Sequence, residues 1–330
     1  MSHISAEIRR TRPVGVPTAG LRPARLRGAG RGLGLGAAAL LLLTACGTDD
    51  PMGGGEGGDA DEDGGTLVVG SQQYYSNTII AEAYAQVLED QGYEVEREFE
   101  IGQREVYVPE MEDGSIDVFP EYTGNFLEYL DSESEASDSE EVASDLEDAM
   151  PEGLTALEPA EATDQDSYTV TAEFAEEHDL TEIGDLADVD EDLSVAANSE
   201  FQTRPYGPDG VEEVYGVELT LNAVEDSGGP LTVNALTDGE VQVADIYTAD
   251  PAIEENDLVV LEDPEDLILP QQVVPIVSDA VDDDARAALD ELSAALDQEA
   301  LLEMNTQSVD DQSDPSEVAS DWLESEGLVD

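Results

Sequence analysis

Lysine is absent from the sequence, histidine occurs twice, and cysteine and tryptophan occur once each. Each shortage closes off a class of chemistry. Seven of the eleven arginines precede Leu33, so the remainder sets only Arg97, Arg104, Arg204 and Arg286 against 80 acidic residues. Nucleic-acid binding depends on lysine and arginine neutralising phosphates, and this surface cannot supply them. A lone Cys46 cannot build a disulfide framework. His178 sits in Glu176-Glu177-His178-Asp179, at the polar end of an expected helix, and reads as a surface residue. The chain contains no Gly-x-Ser-x-Gly, P-loop or His-Glu-x-x-His pattern, and no Asp-x-Asp-x-Asp-Gly calcium loop. Carboxylates are so frequent that no pair of them marks a site. No catalytic residue, metal ligand set or cofactor is expected.

What is present begins with a processing signal. Arg9, Arg10, Arg12, Arg22, Arg25, Arg27 and Arg31 precede an apolar run from Leu33 to Leu43, which ends in Leu43-Thr44-Ala45-Cys46. A basic region, a short apolar region and a small-residue cleavage site are the layout of a secretory signal. The run is too short for a permanent span. A cysteine straight after Leu-Thr-Ala is the lipobox pattern, in which the thiol is diacylated before cleavage. The expectation is a signal peptide over 1–45 and a lipidated Cys46 holding the protein to the outer face of the cytoplasmic membrane. The Arg9-Arg10 pair leaves the export route open between the general and twin-arginine systems. Residues 46–65, glycine and acid almost throughout after Cys46, read as a flexible solvated tether.

From Thr66 onward, short apolar runs alternate with amphipathic stretches, which is the α/β signature. Strands are expected at Leu67–Val69, Tyr93–Ile101, Ile116–Phe119, from Tyr168, and at Leu193–Ala197, Leu219–Asn222, Val241–Tyr247, Leu258–Leu261 and Val273–Val277. Helices are expected from Ser76 to Gly92, over Arg104–Asp113, through Val142, Leu146 and Met150, around Ala172–His178 and Gly184–Asp188, and over Val211–Tyr215 and Leu231–Leu236. Ala285–Leu302 reads as one long amphipathic helix, and a last helix holds Trp322 as a packing residue. No internal repeat is found.

Five segments at strand ends carry unusual residue sets: Gly70-Ser71-Gln72-Gln73, Phe119-Pro120-Glu121-Tyr122-Thr123-Gly124-Asn125, Ser167-Tyr168-Thr169, Glu200 through Gly216, and Asp245-Ile246-Tyr247-Thr248-Ala249-Asp250. The first lies between a strand and a helix, where free N–H groups face a ligand. In this order they resemble the substrate-binding proteins of osmoprotectant ABC transporters, which bind glycine betaine, choline and related quaternary amines. The most specific parts are Gly114-x-Ile116-Asp117 with Pro120-Glu121-Tyr122-Thr123-Gly124, and the Asp245–Asp250 segment.

The resemblance implies an α/β, two-lobed periplasmic-binding-protein fold of type II, with two inter-lobe crossings and a ligand cleft between the lobes. Lobe I would be 66–167 with 270–330, and lobe II 168–269. It implies a tyrosine cage for the ammonium group, with Tyr122, Tyr168 and Tyr247 at three matching positions. The fourth falls at Gln271, where relatives often carry tyrosine, so this wall departs from the family. Arg204 and Gln72 match donors to a betaine carboxylate, and Asn125 matches a position expected to help separate betaine from choline. The expected protein is a monomeric solute-binding lipoprotein that passes a quaternary ammonium compound, glycine betaine first, to an ABC permease. The alternatives are a binder of choline, carnitine or another cation, or a sensing module that signals to a membrane partner.

The formal net charge of −70 has a consequence of its own. Self-repulsion on this scale opposes a compact state unless salt screens it. At 1 M salt the Debye length is about 3 Å. Thermal melts across a salt series are therefore expected to show Tm climbing from dilute buffer to molar salt. A fold equally stable at both ends would remove the inference.

Overall fold

Leu67-Val68-Val69-Gly70 forms β1 (Leu67–Gly70), the strand from which the first half of the molecule is built. The computed structural model describes residues 66–310 and 312–329, so the expected signal peptide, Cys46 and tether lie outside the described residues. β1 leads into α1 (Tyr75–Asp90), whose Ile79, Ile80, Tyr84 and Leu88 are buried. α1 is apolar on most of its circumference because it is covered twice, by the sheet and by the C-terminal helices. β2 (Val95–Glu98) pairs in parallel with β1, α2 (Arg104–Glu112) follows, and β3 (Val118–Tyr122) lies on the other side of β1. α3 (Thr123–Leu130), α4 (Ser139–Ala149) and β4 (Leu154–Ala156) complete this pass.

The chain then enters a second sheet. It contains β5 (Tyr168–Thr171), β6 (Leu193–Ala197), β7 (Leu219–Ala223), β8 (Val243–Asp245) and β9 (Leu258–Val260), in the spatial order β7-β6-β8-β5-β9. Between them lie α5 (Ala172–His178), α6 (Pro208–Tyr215), α7 (Pro230–Thr237) and α8 (Ala252–Glu255). The chain returns through β10 (Val273–Ser278), which runs antiparallel between β3 and β4 and gives the first sheet the order β2-β1-β3-β10-β4. Separate apolar cores lie on both faces of each sheet, as near-continuous apolar strands require. Among the described residues no helix is long and apolar enough to cross a membrane.

Several local details differ from the periodicity. The expected helix over 285–302 is two, α9 (Asp283–Ala295) and α10 (Gln298–Asp310). The Asp297 carboxylate accepts from the Ala300 N–H at 2.9 Å, so it caps a new helix where apolar spacing alone would continue the old one. α11 (Pro315–Glu326) holds Trp322 against α1 in the first core. β3 is shifted towards Tyr122, because Asp117 serves as a staple ahead of it. Its carboxylate accepts from the Val68 N–H at 2.9 Å and the Ser278 hydroxyl at 2.7 Å, tying three strands together. β8 stops at Asp245, which frees Ile246 and Tyr247 from the sheet and sends the chain towards the crossing segments. Gly124 allows the return segment to lie on α3, since a Cβ there would sit 2.6 Å from the Pro270 carbonyl oxygen.

Candidate functional site

The strand ends of the two sheets meet around a narrow cavity of about 20 Å³, room for on the order of one water. From the first sheet come Gln72 and Tyr74 in the β1–α1 turn, Gln103 and Arg104 at the start of α2, and Tyr122 and Asn125 around the β3–α3 junction. The crossing segments add Asp164, Asp166 and Gln271. From the second sheet come Asn198, Phe201, Arg204 and Tyr206 after β6, and Tyr247 after β8.

Local chemistry explains how each is held. Asn77 accepts from the Gln72 N–H at 2.8 Å and donates to the Pro120 carbonyl at 2.9 Å, locking the first turn onto β3. Tyr74 then reaches across the cavity. Its hydroxyl bonds that of Tyr122 and lies 3.3 Å from Asp164 Oδ2, while its ring meets Tyr247 edge-on at 5.0 Å. Tyr122 is fixed from behind by Glu121, which is fully buried. That carboxylate accepts two bonds from Arg104, at 2.9 and 2.7 Å, one from the Tyr107 hydroxyl, and one from the Tyr122 N–H at 2.8 Å. Burial works against the Arg104 charge, but the Glu121 carboxylate outweighs it and holds the guanidinium protonated.

The cavity lining carries groups of both signs. Burial drives the Asp164 carboxyl up to about 7, against the opposing hydrogen bond from the Ala249 N–H. Asp166 is also buried and accepts from Asn125 Nδ2 at 2.6 Å, while Gln271 Nε2 donates to Asn125 Oδ1 at 2.9 Å. Behind Asp166, burial and then the Asp166 charge push the Asp245 carboxyl well above the usual carboxylate range. The same lining also holds donors. Gln72 Nε2 is buried with no hydrogen-bond partner, and Arg104 presents a third nitrogen, Nη1, that makes no hydrogen bond among the described residues. Arg204 points its guanidinium at Glu105, with contacts of 3.0 and 3.4 Å that run from one half of the molecule to the other.

Of the residues singled out by sequence, Tyr122, Tyr247, Arg204, Gln72, Asn125 and Gln271 line this one cavity. Tyr168 stands one layer back. Its hydroxyl donates to the Tyr206 carbonyl at 2.5 Å and its ring packs at 6.0 Å on Phe201, so Phe201 and Tyr206 line the cavity in front of it. Sequence reasoning passed over Tyr74, Arg104, Asp164 and Asp166, and it placed Phe201 and Tyr206 inside a marked segment without giving either a role. Tyr74 follows directly on a segment already marked and begins a Tyr-Tyr doublet, and Arg104 is one of four arginines after Leu33, so both carried a usable signal. The two aspartates carried none in so acidic a chain.

A family model, the substrate binding domain of ABC-type glycine betaine transport systems, matches residues 65–325. The chain belongs to this family. Members of the family are extracytoplasmic binding proteins and not enzymes. A glycine-betaine-binding protein of Pseudomonas aeruginosa is 26% identical over 280 residues, which span 80% of this chain and 89% of that protein. The Escherichia coli glycine betaine-binding protein YehZ is 26% identical over 275 residues, 78% of this chain and 90% of that one. The solved apo YehZ structure superposes with a TM-score of 0.58 at 25% identity, covering 80% of this chain and 99% of that chain. A glycine betaine/carnitine/choline ABC transporter structure, 18% identical, reaches a TM-score of 0.65 over 80% of this chain and all of its own. Two mixed five-stranded sheets with flanking helices are the type II periplasmic-binding-protein fold.

The two arginines of the cavity should respond differently to removal. Arg104→Met leaves a buried Glu121 uncompensated and is expected to cost about 3–5 kcal/mol of folding stability. Arg204→Met breaks a partly exposed pair and is expected to cost no more than about 1 kcal/mol. Denaturant unfolding in molar salt reads both, and the reverse order would transfer the structural role to Arg204.

Proposed function

We propose that this substrate-binding protein captures a quaternary ammonium solute between its two sheets, with glycine betaine as the first candidate, and hands it to an ABC permease. The observation that carries the reading is the convergence of Tyr74, Tyr122 and Tyr247 beside Asp164, in a lining that also holds Gln72, whose buried Nε2 has no acceptor among the described residues. A quaternary ammonium has no N–H to donate, so aromatic faces and a nearby carboxylate are what can recognise it. Each aromatic face contributes roughly 0.5–2 kcal/mol. Gln72, Arg104 and Arg204 then address the carboxylate of a betaine. The cavity is smaller than such a solute, so capture includes a parting of the two halves and a hinge closure. A lipidated Cys46 would keep the loaded protein near its permease.

Choline is the second reading, favoured by one observation: Asp164 and Asp166 both line the cavity while Arg104 and Arg204 are each already paired with a glutamate. Calorimetric titration in molar salt with glycine betaine, choline, carnitine and proline betaine separates the two. Tyr122→Ala is expected to weaken the bound solute roughly three- to thirtyfold. Tyr168→Phe, which removes only the bond to the Tyr206 carbonyl, is expected to stay within about threefold. If no quaternary amine binds, or Tyr122→Ala binds as wild type does, the reading fails.

Asp164 adds a pH dependence. Its carboxyl ionises near pH 7, and only the ionised form attracts a cation. Affinity is therefore expected to rise about tenfold between pH 6 and pH 8, and Asp164→Asn to flatten that rise. The sign for folding is opposite. The native state keeps a proton that the unfolded chain has lost, so the contribution of Asp164 to stability falls as pH rises from about 4 to 7. Affinity profiles for the two proteins that coincide would remove Asp164 from the site.

A further inference from the structure

The Tyr74–Tyr247 pair is a partition with a chamber on either side. Beyond it lies an outer chamber of about 350 Å³, which shares Tyr74, Tyr247 and Asp164 with the inner cavity and adds Tyr75, Ser76 and Asp250. That volume is within the range of about 300–1,000 Å³ typical of small-molecule sites. We infer that this outer chamber is a second solute site, and that it takes an organic ammonium cation carrying a hydroxyl and no carboxylate, the chemistry of choline.

The walls specify that class. Three tyrosines, Tyr74, Tyr75 and Tyr247, line one chamber, which suits a methylated ammonium. Asp250 is held rigidly, accepting from the Tyr75 hydroxyl at 3.0 Å and the Ala252 N–H at 2.8 Å, and each oxygen retains a lone pair for a cation. Three further acids stand around the chamber, and no arginine lines it. The inner cavity has two guanidiniums and the outer chamber has none, so a zwitterion gains a partner for its carboxylate only on the inner side. Ser76 supplies the remaining element. Its Oγ is buried beside Asp164, and its hydroxyl helps hold that carboxylate ionised, which leaves the oxygen lone pairs to accept from a ligand hydroxyl.

Because Tyr122 lines only the inner cavity while Tyr75 and Asp250 line only the outer chamber, the two sites can be separated by mutation. The test is equilibrium dialysis of labelled choline and labelled glycine betaine against the lipid-free chain in molar salt. Choline binding is expected to survive Tyr122→Ala. Tyr75→Ala and Asp250→Asn should each weaken that binding roughly three- to thirtyfold, while betaine binding stays within about twofold of wild type. Asp250→Asn keeps the shape and the bond from the Ala252 N–H, and its Nδ2 can donate to the Tyr75 oxygen in place of the bond it accepted, so it carries the test if Tyr75→Ala does not fold. Choline lost with Tyr122→Ala, or unaffected by Tyr75→Ala and Asp250→Asn alike, overturns the outer site. Betaine failing to bind any of these proteins would overturn the inner reading instead, and would leave the choline result to stand on its own.

Discussion

Glu121 is the carboxylate around which the cleft is arranged. It is buried completely, at the end of a strand paired on both sides, and it is tolerable there because four donors converge on it. Two come from Arg104, one from Tyr107 and one from the backbone of Tyr122. The pair joins the start of α2 to the end of β3, so the elements that flank the cavity cannot move independently. Replacing such a network with apolar groups can leave stability unchanged, whereas removing one member leaves a buried charge exposed to an apolar surrounding. What the network adds is direction. The Tyr122 backbone is pinned from within the sheet, and its ring therefore meets Tyr74 and Asn77 at a set angle rather than by flexible contact.

The fold was legible because its determinants are local and repeated. Leu67–Val69 and Val273–Val277 are uninterrupted apolar runs, and the Pro120–Gly124 motif marks the end of a strand that both neighbours need. Gly124 is fixed by a backbone contact with Pro270, a constraint that selects glycine whatever the ligand. α3 was missed for the same reason, since a glycine near its start reads as a stop when it is an allowance for close approach. The broken helix at Asp297 shows the limit of apolar spacing, which cannot register a side chain that caps.

The candidate site was less legible than the fold, and the reason is direction. A strand residue can face either core, and nothing in Ser167-Tyr168-Thr169 says that Tyr168 turns its hydroxyl towards the Tyr206 carbonyl. Arg204 and Arg104 are equally rare as residues, yet one is buried in a network and the other spans the two halves near the surface. Tyr74 stood beside a marked segment, but nothing in sequence named what it would meet. Its partners, Tyr122, Asp164 and Tyr247, come from three distant parts of the chain. Among 81 acids, the few that line the cleft are distinguished by burial alone, which only a folded chain reveals.

The Arg204–Glu105 contact has an implication for fidelity. Among the described residues it is the ion pair that spans the cleft, and the Glu105 side chain is about half exposed. At molar salt, screening over about 3 Å would leave such a clasp little strength of its own. Closure would then draw its free energy from buried contacts and from whatever occupies the cleft. A receptor held shut by surface charge would present the same face to its permease whether loaded or not. One whose charges were silenced by salt would report its cargo more truthfully.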